Sequence, residues 1–357
     1  MRSLRAIIAL AALLAADVAL GLRWNVRNLP PGALHRPPPK RAPKAAGTEY
    51  VLVMFGDSYS DTGRTLKASG LPQPDVYWKG RYTNGPNWFD YLQQTLEAKY
   101  KTRVFNYAYG GATACRNADM EAAFPYVKPL PNQTDMFLAD LKAGAAPRAG
   151  PGVRVVPMQW LGGNDIEFVI RAAGMTGVAP TPDDMMKLIA ATVKCRIEST
   201  LALALSGAVY DIALFPAGPI WMMPRVPVPF KAMVQTLMGL MDAAFVAAVG
   251  QAQAQLDALP PGAPGAGVRL HTIGTSAQWM ADAFMGTQPP ANETTKSCFE
   301  ESSTFVPDPT LKSRVCTDPE DYAFYDSIHA TTRYMAWFTA HGVLPRLQQA
   351  GLLPEGL

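Results

Sequence analysis

A serine hydroxyl is a weak nucleophile until a base stands beside it. In "VLVMFGDSYSDTG", Val51 to Gly63, an apolar run stops abruptly at Gly56-Asp57-Ser58. Gly56 permits a sharp turn, which leaves Ser58 at the mouth of the next segment, either as a helix cap or as a nucleophile. Candidates for its base are few, because the chain has four histidines: His35, His271, His329 and His341. His35 falls in a proline-rich stretch, His271 in an expected strand and His341 in an expected helix. His329 stands in "YDSIHA", Tyr325 to Ala330, three residues after Asp326. A carboxylate on the same turn can fix the imidazole tautomer and stabilise its charged form. Two more stretches offer donors. In "NYAYGGAT", Asn106 to Thr113, paired glycines let a backbone N–H face a ligand without obstruction. In "WLGGNDIEF", Trp160 to Phe168, Asn164 follows two glycines with a side-chain amide. Each motif alone has a plainer reading as a cap or a tight turn. Together they place a nucleophile, donors, a base and an orienting acid at element ends.

These blocks, in this order, resemble the four sequence blocks of the GDSL, or SGNH, hydrolase superfamily. The likeness runs from about 51 to 335, and "YTNGPNWFDYL" with "NYAYGGAT" is most similar to fungal secreted acetylesterases and plant-type GDSL lipases. The resemblance implies a Ser58 nucleophile, a His329 base and Asp326 as its partner. It also implies an oxyanion hole formed by the backbone N–H groups of Ser58 and Gly111 and the amide of Asn164. The implied fold is a three-layer α/β/α, flavodoxin-like sandwich. The implied activity is hydrolysis of a carboxylic ester through an acyl-enzyme, acting on acetyl groups of plant cell-wall saccharides. Two alternatives remain open at this point. One is a lipase or phospholipase whose acyl pocket is lined by the methionine-rich segment 222–241; the other is an inactive, saccharide-binding relative. The chain departs from the pattern at Ala330, where the family often has proline, and at Gly163, where it often has a bulky apolar residue. It also lacks the G-x-S-x-G elbow of ordinary α/β-hydrolases.

Five β-rich runs are suited to hold these motifs: 50–55, 103–108, 153–160, 208–215 and 267–273. The first and fourth are nearly continuous apolar runs, as strands covered on both faces are. Pro157 interrupts the third, which weakens the strand signal there. Helices are expected from Pro86 to about 100, from Pro182 to 205 with Thr181 as cap, over 230–258, and over about 331–348. Alternating strands and helices argue for an α/β domain with a central, mostly parallel five-stranded sheet. In such sheets ligands bind beyond the carboxyl ends of the strands. The segment 286–322 reads as a long irregular loop, which is usually functional or cross-linked.

Composition bounds the rest. The chain has 357 residues, 48% hydrophobic and 17% charged, enough for a sizeable core. Its net charge of +3 is uneven. The first 47 residues carry eight basic side chains and one acid, and the remainder 24 basic and 28 acidic. A nucleic-acid partner therefore gains no electrostatic support from the body of the chain. Residues 1–21 have secretory signal architecture, with Arg2 and Arg5 ahead of an apolar run. That run is short for a membrane span, so stable insertion is not expected after cleavage; an uncleaved signal anchor is the alternative. Residues 22–47 form a Pro/Arg/Lys-rich linker containing Lys40-Arg41, and 48–357 one hydrolase-like domain. Four cysteines behind a signal segment suggest two disulfides. The favoured pairing is Cys298–Cys316, across the irregular loop, with Cys115–Cys195 as the remaining pair. Asn132 and Asn292 head glycosylation sequons. No cofactor or metal is expected. The expected partner is a small-molecule or saccharide ester, and the location extracellular.

Overall fold

The computed structural model describes residues 47–357 except 177–179, 285–290 and 302–305, so the expected signal segment and linker lie outside the described residues. Five strands, β1 (Glu49–Gly56), β2 (Thr102–Asn106), β3 (Val153–Trp160), β4 (Asp211–Leu214) and β5 (Arg269–Thr272), form one sheet in the order β2-β1-β3-β4-β5. Every pairing in it is parallel. This is the flavodoxin-like order, and its switch point lies between β1 and β3. β1 is interior, paired on both sides, and buried along its whole length, which is why it reads as a continuous apolar run.

The period-two geometry of β1 divides the core. Val51, Val53 and Phe55 face one apolar layer, with Phe137, Val193 and Phe245. Tyr50, Leu52 and Met54 face the other, with Trp88, Leu92 and Leu347. The covering helices are α1 (Arg64–Ser69), α2 (Trp88–Glu97), α3 (Leu130–Ala143), α4 (Gly163–Thr176), α5 (Pro182–Leu205), α6 (Val228–Asp257), α7 (Ser276–Phe284), α8 (Thr332–Phe338) and α9 (Leu344–Gln349). Thr181 caps α5 through a reciprocal box with Asp184, as its sequence predicts.

β3 has the bounds expected of it and runs through Pro157, which pairs with Val53 of β1, ahead of the Met158 position where the β4 ladder starts. The missing donor is therefore absorbed before β3 gains its second neighbour. α2 is capped by Asn87 in a box with Asp90, so Pro86 lies before the helix, not in its first turn. The expected final helix is divided: α8 ends at Phe338, a π turn spans Thr339–Val343, and α9 follows with Pro345 near its start. A proline that can donate no backbone bond accounts for the break. The segment 286–322 contains a strand, β6 (Glu293–Ser297), paired in parallel with β7 (Tyr322–Phe324). β6 is the polar, partly exposed run "ETTKS", which carries no hydrophobic period to reveal it. Cys298 and Cys316 are bonded across this region, and Cys115 and Cys195 are bonded to each other.

Candidate active site

β1 delivers Ser58 to the carboxyl edge of the sheet through a tight turn. Ser60 and Asp61 both donate backbone N–H groups to the carbonyl of Asp57, and the Asp57 carboxylate accepts the Tyr59 N–H at 3.1 Å. No helix starts at Ser58, since α1 begins at Arg64; the cap reading of this serine is therefore corrected. A side chain at Gly56 would come within 2.9 Å of the Trp160 carbonyl, so glycine is required by close approach of two strands. The buried Gln133 side chain bonds both the N–H and the C=O of Gly56, at 2.9 and 2.8 Å, and so holds the strand end.

His329 Nε2 lies 2.7 Å from Ser58 Oγ, and His329 Nδ1 lies 2.7 Å from Asp326 Oδ2. The chain bends sharply around Asp326, whose Oδ1 accepts the N–H groups of Ile328 and His329 at 2.8 and 2.6 Å. The Tyr77 hydroxyl donates to Asp326 Oδ2 at 2.8 Å. Burial pushes the Asp326 carboxyl up, but the His329 charge and these hydrogen bonds outweigh it and hold it below the ordinary carboxylate range. Tyr59 and Tyr82 flank the His329 ring, with centroids 5.5 and 5.1 Å away. Both rings restrict its rotation. His271 instead pairs with Asp211, and His341 meets the Trp337 carbonyl.

The loop after β2 brings backbone donors beside Ser58. The Gly110 N–H is bound by Asp61 and Thr65, at 3.0 and 2.8 Å, and is therefore unavailable to a substrate. Gly111 has φ 80°, a conformation that favours glycine, and its N–H has no hydrogen-bond partner among the described residues. Asn164 sits in the first turn of α4. One amide hydrogen goes to the Ala112 carbonyl at 2.9 Å, which orients the group and leaves the other hydrogen for a ligand. Asp165 reinforces this junction by accepting the Ala114 N–H at 3.0 Å. Burial raises Asp165 to about 6 and Asp57 to about 7.

An apolar pocket of about 90 Å³ opens beside Ser58. Trp160, Ile220, Met223, Trp279, Met335 and Phe338 supply its apolar walls, and Asp57, Asn164 and Glu167 its polar groups. Of the methionine-rich segment 222–241, Met223 reaches the pocket, while Met238 and Met241 are core. Gly163 lines the pocket too, so the family departure noted in the sequence falls on its wall. Arg225 ties one rim together: it pairs with Glu167 and Glu301 and donates to Ser327, next to Asp326.

Sequence reasoning missed four supports. Asp61 and Asp165 stood inside the quoted motifs and could have been noticed as acids beside turn glycines. Tyr77 and Gln133 act across sequence separations of 249 and 77, and nothing local marks them. Among the described residues no group of three or more His, Cys, Asp or Glu side chains could hold a metal ion. Asn292 is exposed, whereas Asn132 lies in the first turn of α3 with its Oδ1 buried and Thr134 buried beside it.

Such an arrangement can activate a hydroxyl, receive its proton and stabilise a developing oxyanion. The model of the GDSL-like Lipase/Acylhydrolase family matches residues 52–337. A curated relative, phosphatidylcholine-sterol acyltransferase of Aeromonas hydrophila, is 43% identical over 65 residues. That match spans 18% of this chain and 18% of the relative, so the chain covers under a fifth of its length. Among solved structures, LAE5, an alpha/beta hydrolase enzyme from the metagenome of Lake Arreo, Spain, has a TM-score of 0.42 at 16% identity, over 87% of this chain and 98% of its own. TesA has a TM-score of 0.34 at 16% identity, over 85% and 99%.

Proposed function

The chain belongs to the GDSL-like lipase/acylhydrolase family, and on that premise we propose that it hydrolyses carboxylic esters with Ser58 as nucleophile. The observation that carries this reading is the continuous relay from Ser58 through His329 to Asp326, at 2.7 Å per step, at the mouth of an apolar pocket. Ser58 Oγ attacks the ester carbonyl carbon while His329 Nε2 takes its proton. The carbonyl oxygen becomes an oxyanion facing the N–H groups of Ser58 and Gly111 and the Asn164 amide. Collapse breaks the bond to the alcohol oxygen, which receives the proton from His329. A water then attacks the acyl-serine by the reverse proton path and releases the acid. Asp326 keeps the imidazole in the tautomer that accepts at Nε2 and stabilises the imidazolium.

The pocket supports an acyl group longer than acetyl. A group the size of one water needs roughly 10–15 Å³ of such space, so an acetyl methyl would leave most of the pocket unfilled. The walls are apolar and aromatic, which suits an aliphatic chain of several carbons. Acetyl removal from saccharides draws on sequence resemblance alone and is the second reading. The intact relay weighs against an inactive binding protein. Location outside the cell is supported by the signal-like first 21 residues and by two disulfides, which persist in oxidising compartments. Turnover of p-nitrophenyl acetate, butyrate, hexanoate and octanoate tests the proposal. The expected kcat/KM rises beyond acetate, and Ser58→Ala abolishes it with an unchanged circular dichroism spectrum. Retained turnover in Ser58→Ala would remove the assignment, and a maximum at acetate would restore the saccharide reading.

A further inference from the structure

Apolar side chains are rarely left in water in clusters unless something docks on them. Among the described residues, five large apolar side chains are exposed: Val228, Phe230, Met233, Val246 and Val306. Three of them gather at the start of α6, where Val228 is 79%, Phe230 50% and Met233 47% exposed. Pro227 and Pro229 beside them are exposed too. Further along, α6 is anchored where Asp242 accepts from Ser276, just after β5, and Met241 lies against Gly162, just after β3. The helix therefore passes the carboxyl edge of the sheet near Met241. From Val228 to that level is about 20 Å at the rise of an α-helix. Its first turns must stand beyond the edge that carries Ser58.

The segment leading into α6 belongs to the site. Ile220 and Met223 line the pocket, and the Arg225 N–H donates to the Ser327 carbonyl at 2.9 Å. The exposed cluster thus begins five residues after Met223 of the pocket wall. Its charge fits the same purpose. No Asp or Glu occurs from Gly218 to Met241, and Lys231 is the only charged residue from Val226 to Met241. Arg225, one turn earlier, is already paired with Glu167 and Glu301.

We propose that Val228, Phe230 and Met233 dock this protein on the surface of an aggregated ester, a lipid–water interface, and so set the pocket mouth against its substrate. An apolar helix end with a single lysine can enter the acyl boundary while the ammonium stays at the polar level. An acyl chain leaving the interface would then pass along the Met223 and Ile220 wall to Ser58. The inference rests on the ester-hydrolase reading, from which the experiment separates it.

Wild type, Val228→Ser/Phe230→Ser/Met233→Ser and the control Val246→Ser are assayed on monomeric p-nitrophenyl butyrate and on a tributyrin emulsion. The triple variant should keep its kcat/KM on the monomeric ester within twofold and lose at least tenfold on the emulsion. Val246→Ser, on the same helix but 13 residues from Met233 and beyond the level of the sheet edge, should change neither. Docking itself is read by flotation of Ser58→Ala with phosphatidylcholine-coated triolein droplets, which needs no turnover. Ser58→Ala should float, and Ser58→Ala carrying the three serines should not. Equal emulsion activity in the triple variant would overturn the proposal. So would a dimer by sedimentation velocity that the three serines convert to monomer, since a second copy would then cover the cluster. Flotation without any ester turnover by wild type would leave docking standing and remove the hydrolase reading. Turnover without flotation would do the reverse.

Discussion

Replacing Gly163 by valine should shorten the acyl pocket and leave the chemistry intact. Gly163 opens α4 and lacks the left-handed backbone of its neighbour Gly162, whose φ is 118°. A Cβ built at 163 meets Ile220 Cδ1 at 3.5 Å and the Ala217 carbonyl at 3.9 Å, both ordinary contacts. The valine methyls then take space that two acyl carbons would use. At about 0.8 kcal/mol per buried methylene, two carbons are worth about 1.6 kcal/mol. That corresponds to a factor of about 15 in rate. The assay is kcat/KM for p-nitrophenyl acetate and hexanoate in both proteins. The hexanoate-to-acetate ratio should fall about 15-fold, with acetate itself within about threefold. An unchanged ratio, or an equal fall for both esters, would refute the argument that this pocket holds the acyl chain.

Asn164→Ala should lower kcat by about a hundredfold or more with little change in KM, as loss of one oxyanion donor does; steady-state kinetics on p-nitrophenyl butyrate read it. Tyr77→Phe removes a hydroxyl from Asp326, a bond to a charged group worth about 1.5–3 kcal/mol of stability. It leaves the carboxylate a stronger acceptor for His329, so the acid limb of kcat/KM should move to higher pH; a limb that stays in place would make Tyr77 a packing residue only. Asp57 is raised to about 7 by burial, so the folded protein binds a proton there that the unfolded chain releases near its ordinary value of 3.8. Its contribution is therefore whole below about pH 4 and lost as pH rises towards 7. Asp57→Asn should be more stable than wild type at pH 8, by up to about 4 kcal/mol, with the gain vanishing near pH 4 in thermal melts. A gain independent of pH would contradict that origin.

The parallel sheet was legible because its interior strand β1 is buried on both faces, so "YVLVMF" carries a strand signal without alternation. Ser58 and the donors Gly111 and Asn164 were legible because each sits just beyond a strand beside glycines that break the pattern, and His329 because it follows an acid just before a helix. What holds those groups was not. Tyr77 reaches Asp326 and Gln133 reaches Gly56 across distant sequence, through packing that no local window contains. Arg196 shows the same limit. It is 1% exposed, stacks 3.7 Å over the Phe245 ring and donates to Gln159 and the Phe215 carbonyl, yet in sequence it is one basic residue on a helix. Strand ends were overrun at β4 and β5 because buried loop residues such as Ala208, Val268 and Ile273 are as apolar as the strands they flank. β6 escaped notice for the opposite reason, a polar strand in a polar loop.

Covalent trapping identifies the residue that attacks the ester. Wild type and Ser58→Ala are treated with diethyl p-nitrophenyl phosphate, which carries a serine-reactive phosphoryl group, and ester turnover is followed alongside peptide mass spectrometry. One diethylphosphoryl adduct is expected, on Ser58, accumulating in step with loss of p-nitrophenyl butyrate hydrolysis and absent from Ser58→Ala. An adduct on another residue that tracks the loss of activity, or turnover that persists once Ser58 is fully modified, would contradict it.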